Sequence, residues 1–128
     1  MKLVDTVAII GFLNPKDRLH ERSLEHLRRT SSDDQVYVPT VSLIETDLVL
    51  KVRGYSDSER EVSWRTLETQ IPAEKIMPNS PSTIQRAVAL QRQGMDYFDS
   101  LVTALAKDTG SVVITTDKII KGVVETEW

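Results

Sequence analysis

Four acidic residues stand where an acid is either costly or well placed for chemistry. Asp5 follows Leu3-Val4, and Asp117 follows the run VVITT. Both close stretches of strand composition, and in open α/β sheets ligands bind outside the carboxyl ends of parallel strands. Glu45 lies four residues after Val41 and three before Leu48, on the apolar stripe expected of its helix. Asp99 is set among Phe98, Leu101, Val102, Ala104, Leu105 and Ala106. With Asp96 and Thr103 it forms a polar face on an otherwise apolar helix.

Each acid also has a purely structural reading. Asp5 and Asp117 are good N-caps for whatever helix follows them. Ser42 and Glu45 have capping-box spacing, which would make Glu45 a local residue if the helix began at Ser42. Asp96 precedes an apolar helix and suits its N-cap, and Asp99 could face solvent in the first turn.

Taken together the acids imply a specific chemistry. Carboxylates forced into one place repel, and their pKa values rise unless a cation neutralises them. With no cysteine and only two histidines in the chain, such a cluster selects hard, oxygen-preferring ions, Mg²⁺ or Mn²⁺. Those ions bind phosphate and activate water, which is the requirement of phosphodiester hydrolysis.

The elements that must position these residues alternate. A short strand over residues 2–5 leads into the apolar helix VAIIGFL, stopped by Asn14-Pro15. RLHERSLEHLRR reads as an amphipathic surface helix, ended by Ser31-Ser32-Asp33-Asp34. QVYVP is a second strand. VSLIETDLVLKVR is a helix with Val41, Ile44, Leu48 and Val52 on its buried stripe and Gly54 just beyond its end. Ser56 and Glu59 form a capping box for the helix through EREVSWRTLETQ. EKIMP is a third strand, Ser80-Pro81 opens a helix that Gly94 closes, and YFDSLVTALAKDTG is a helix ending at glycine. SVVITTD is the strongest strand pattern, and KGVVETEW a last strand. Strands alternating with helices describe a parallel sheet covered on both faces.

Composition sets outer bounds. A chain of 128 residues is the size of one domain, here 1–128. No apolar run approaches the ~18 residues of a spanning helix, and Asp5 interrupts the apolar stretch that could otherwise pass for a signal peptide. The absence of cysteine fits a reducing, cytoplasmic setting. The net charge of -3 argues against a generic nucleic-acid binder, so any contact with RNA must be local. The basic groups Arg28-Arg29, Lys51 with Arg53, and Lys118 with Lys121 read first as solvated helix faces.

The order of the motifs, LVDT, then PTVSLIETDL after the second strand, then YFDSLVTALAKDTG, then VVITTD, resembles the PIN-domain family, and within it the VapC-type toxins of prokaryotic toxin-antitoxin pairs. The resemblance implies a three-layer α/β/α fold around a central, mostly parallel sheet of four or five strands. It also implies a Mg²⁺- or Mn²⁺-dependent ribonuclease in which Asp5, Glu45, Asp99 and Asp117 are the catalytic, metal-binding acids. Thr6 and Thr115 or Thr116 match positions of supporting hydroxyls, with Asp96 beside them. The partners it implies are an RNA substrate, a cognate antitoxin protein and a second copy of the chain, with no membrane.

Two other readings compete. One keeps the fold but binds RNA or a protein without cutting. The other is a phosphoacceptor receiver domain, which calls for adjacent acids after the first strand, whereas Asp5 is followed by Thr6.

Overall fold

The computed structural model describes residues 1–128. The elements run in the order β1 (Lys2–Val4), α1 (Thr6–Leu13), α2 (His20–Ser32), β2 (Val36–Pro39), α3 (Thr40–Val52) and α4 (Asp57–Gln70). They continue with β3 (Ile76–Met77), α5 (Pro81–Arg92), α6 (Tyr97–Thr109), β4 (Val112–Ile114), α7 (Lys118–Lys121) and β5 (Thr126–Glu127). The five strands form one sheet in the order β3-β2-β1-β4-β5, and every adjacent pair is parallel.

Alternation along the central strands feeds a separate core on each face, because successive strand side chains point to opposite sides. Leu3 and Val113 join Val41, Leu90, Val102 and Leu105 on one face. Their neighbours Val4 and Ile114 join Ala8, Ile9, Leu27 and Leu67 on the other. The sheet is thus the middle of three layers, and its central strands β1, β2 and β4 are largely apolar because both faces are covered.

Local signals terminate the elements. The Ser56 hydroxyl accepts from Glu59 N, and the Glu59 carboxylate accepts from Ser56 N in return, giving the expected capping box. Ser80 accepts from Thr83 N, with proline in the first turn of α5. α6 stops at Gly110, whose φ of 63° is left-handed backbone that glycine adopts without steric cost.

Two expectations are corrected. The stripe Val41, Ile44, Leu48 and Val52 is not the buried face of α3. Val41 is buried, but Ile44, Leu48 and Val52 are 57%, 46% and 78% exposed, and the helix instead buries Ser42, Thr46 and Leu50. Its apolar residues fall on several sides of the helix, so periodicity alone did not select the face, and the small Ser42 and Thr46 are the ones it buries. Thr46 donates to the Ser42 carbonyl at 2.7 Å. Likewise, the C-terminal segment is not one strand. Asp117 caps α7, and only Thr126–Glu127 then pairs with β4.

Candidate active-site cleft

The sheet order makes β1 and β4 neighbours, with Val4 paired to Ile114, so residues 5 and 115–117 leave the sheet side by side. Asp5 N donates to the Ile114 carbonyl at 3.1 Å. Asp5 also begins α1, but its carboxylate makes no capping bond. Its Oδ2 instead accepts the Thr115 hydroxyl at 2.7 Å, and that same hydroxyl oxygen accepts from Asp117 N at 3.0 Å. Of the two candidate threonines, Thr115 makes these bonds, while Thr116 stands exposed on the cleft wall.

Glu45 projects toward the same place from α3. The helix begins at Thr40, before the position the Ser42 capping box requires, so the local structural reading fails. Glu45 Oε1 accepts the Thr6 hydroxyl. Asp99, in the first turn of α6, lies on the cleft as well. Asp5, Glu45, Asp99, Asp117, Thr6 and Thr116 all line one cleft of about 340 Å³, together with Val7, Ile10, Asp17, Val49 and Arg53. Asp96 is exposed and does not line it, nor does its side chain cap α6. The capping role expected for Asp96 is therefore absent. Asp117 does both things, since its Oδ1 accepts from Ile119 N and Ile120 N while it borders the cleft.

Burial and mutual repulsion show in the proton affinities. Asp5, 6% exposed, is pushed up from 3.8 to about 6, chiefly by loss of water. The Thr115 bond pulls it down, and the charges of Glu45 and Asp117 push it further up. Asp99 is raised to about 7 by desolvation, then by Asp117, Asp5, Glu45 and Asp96, and no hydrogen bond offsets this. The cleft is a place where negative charge accumulates and none of its four candidate acids is ion-paired.

An all-oxygen donor set of this kind suits a hard divalent cation. The acids are not, however, drawn into a ready-made ligand set: no three of them stand close enough together to hold an ion as arranged. The expectation of a single preformed cluster is corrected to a shared cleft. Bonds to Thr6, Thr115 and the α7 amides orient Glu45, Asp5 and Asp117 separately, each through one carboxylate oxygen. Asp17 and Arg53 belong to the cleft but escaped the sequence reading. Asp17 reads as a turn residue, and does accept from Leu19 N. Arg53 could have been found from its i+8 spacing to Glu45.

The fold has solved counterparts. FitAcB from Neisseria gonorrhoeae matches with a TM-score of 0.73 at 22% identity, covering 98% of this chain and 96% of that one. VapC20 from Mycobacterium tuberculosis, described as a sarcin-ricin loop cleaving toxin, gives 0.73 at 16% identity, covering 95% and 94%. VapBC2 from Rickettsia felis, solved bound to a DNA fragment from its promoter, gives 0.72 at 14%, covering 99% and 98%. No curated protein sequence matches the chain. No helix is long and apolar enough to cross a membrane. The PIN domain family profile matches residues 2–125, nearly the whole length, and the chain belongs to the PIN-domain family.

Proposed function

We propose that the protein is a metal-dependent endoribonuclease and the toxin of a toxin-antitoxin pair, active in the cytoplasm. The observation that carries this is the arrival of four carboxylates, from β1, α3, α6 and the end of β4, at one cleft. Proteins similar in fold include a sarcin-ricin loop cleaving toxin and a toxin-antitoxin complex.

In this reading Asp5, Glu45, Asp99 and Asp117 hold Mg²⁺ or Mn²⁺. The bound ion supplies Lewis acidity toward the scissile phosphate and lowers the pKa of attacking water. Thr115 orients Asp5 and fixes the loop that carries Asp117, and Thr6 orients Glu45. Thr116 offers a free hydroxyl at the cleft wall. The raised proton affinities of Asp5 and Asp99 suit groups that exchange a proton for a cation near neutral pH.

A cognate antitoxin would cover the cleft with a segment carrying positive charge, because four carboxylates form the complementary surface. The exposed apolar stripe Ile44, Leu48 and Val52 supports a homodimer through α3, since contiguous apolar patches mark interfaces.

The test is cleavage of total RNA by purified protein with Mn²⁺ or Mg²⁺ against an EDTA control, with Asp99→Asn as the inactive reference. The separation of the acids favours one other reading, a non-cleaving RNA-binding module. Binding of RNA without metal-dependent cleavage would select it.

A further inference from the structure

We propose that Arg53 is the substrate-positioning residue of the cleft, binding an RNA phosphate next to the one that is cleaved. The inference rests on the endoribonuclease reading above. Arg53 is the one basic residue among those that line the cleft. It stands there because Arg53, the C-cap of α3 with helical backbone, follows Glu45 and Val49 at i, i+4 and i+8 and so continues one face of the helix. All three border the cleft.

A guanidinium in a cleft with five carboxylates is expected to pair with one of them, and Arg53 does not. None of the chain's ion pairs includes it. The charges that act on Asp5 and Asp99 are those of other acids, with no cation among them. Arg53 is therefore not the internal counter-charge of the acids, and its five donors remain open to an incoming anion.

Helix geometry says which anion. Eight residues along α3 separate the Arg53 and Glu45 backbones by about 12 Å at 1.5 Å per residue. Side chains lean toward the helix N-terminus, which turns the Arg53 guanidinium toward the cleft it lines. Across that separation, a phosphate held by Arg53 is not the phosphate that lies among the acids. It belongs to the strand on either side, and Arg53 sets how the strand lies across the carboxylates. Such a contact is made equally in the ground state and the transition state, so it acts on KM and leaves kcat in place.

The test compares Arg53→Ala, Arg53→Lys and Lys51→Ala for Mn²⁺-dependent cleavage of a short fluorescein-labelled single-stranded RNA over a range of salt concentrations. Lys51 is exposed two residues away and does not line the cleft. Arg53→Ala is expected to raise KM about tenfold at low salt with kcat nearly unchanged. The salt slope should fall by roughly 0.7, the value for one phosphate contact on a single strand. Arg53→Lys keeps the slope, and Lys51→Ala behaves as wild type. Arg53→Ala indistinguishable from Lys51→Ala, or losing kcat at constant KM, overturns the inference while leaving the nuclease reading intact. A wild-type protein that cleaves no RNA overturns the nuclease reading itself. Labelled-RNA anisotropy then reads Arg53 alone: an affinity drop in Arg53→Ala that Lys51→Ala lacks supports the phosphate contact, and equal affinities reject it.

Discussion

Thr115 donates to Asp5 across 110 positions of sequence, at 2.7 Å and out of reach of solvent. The bond fixes the orientation of the least exposed acid in the cleft and, through the same oxygen, the amide of Asp117.

Thr115→Val keeps the shape and removes the hydroxyl. It leaves a buried carboxylate without its donor and an amide without its acceptor, a loss of roughly 1–3 kcal/mol for such groups. Urea denaturation should show that loss, and Thr115→Ser should restore most of it. Because the bond lowers the proton affinity of Asp5, the valine variant should also need a higher pH for cleavage. Unchanged stability and an unchanged pH profile would show that Asp5 does not depend on Thr115.

The raised acids give the metal-free protein a definite pH response. Asp5 and Asp99 hold protons at about 6 and about 7 when folded, against 3.8 ordinarily. Their contribution to stability is complete below the ordinary value and is lost as pH rises through the folded ones. His26 has the opposite sign: burial lowers it from 6.5 to about 4, so its contribution is present above 6.5 and lost as pH falls through 4. Subtracting the curve of Asp99→Asn from that of the wild type cancels His26. The difference should fall between pH 4 and 7, and a flat difference would mean that Asp99 is not desolvated.

Mn²⁺ or Mg²⁺ at millimolar concentration should raise the thermal midpoint of the wild type, because an ion bound only by the folded state stabilises it by mass action. Asp99→Asn should respond less, and should match or exceed the wild type when EDTA is present, since one repelling charge is gone. Calorimetry showing no binding, with no shift in midpoint, would rule against a metal site.

Asp96 and Asp99 are three residues apart and should behave differently. Asp96 is exposed and outside the cleft. Asp96→Asn should leave folding and cleavage near wild type, apart from a small easing of the charge it exerts on Asp99. Asp99→Asn should reduce cleavage by orders of magnitude with the fold retained by circular dichroism. The reverse pattern would move the third acid to Asp96.

Much of this was legible because chemistry and local structure coincide at strand ends. Leu3-Val4-Asp5 and the VVITTD run each mark where a parallel strand gives way to an acid, and the pairing of β1 with β4 places both acids at one edge. The buried face of α3 was not legible. Its apolar residues fall on several sides of the helix, and the face it buries carries Ser42 and Thr46, which look unremarkable in sequence. Strand β4 ends at Ile114, earlier than its composition suggests, because Thr115 turns to Asp5 and Asp117. Nor does sequence reveal that Gly11 is where α1 meets α2. A methyl group added there would collide with the Ser23 side chain, a contact made across a turn that no periodicity encodes.

The neighbouring positions of β1 and β4 have a consequence during translation. Asp5 and Asp117 flank the shared edge of strands taken from opposite ends of the chain, with Lys2 in register with Val112. A nascent polypeptide that has emerged through α6 carries four of the five cleft acids and has β2 beside β1, but it lacks β4 and the Asp117 that follows it. Thr115 is missing too, so Asp5 lacks that side-chain donor. The complete cleft therefore cannot assemble before β4 and Asp117 have been made, and a product lacking β4 cannot contain it. For a protein whose proposed activity attacks RNA, the topology itself delays that activity until β4 and the acid that follows it have emerged.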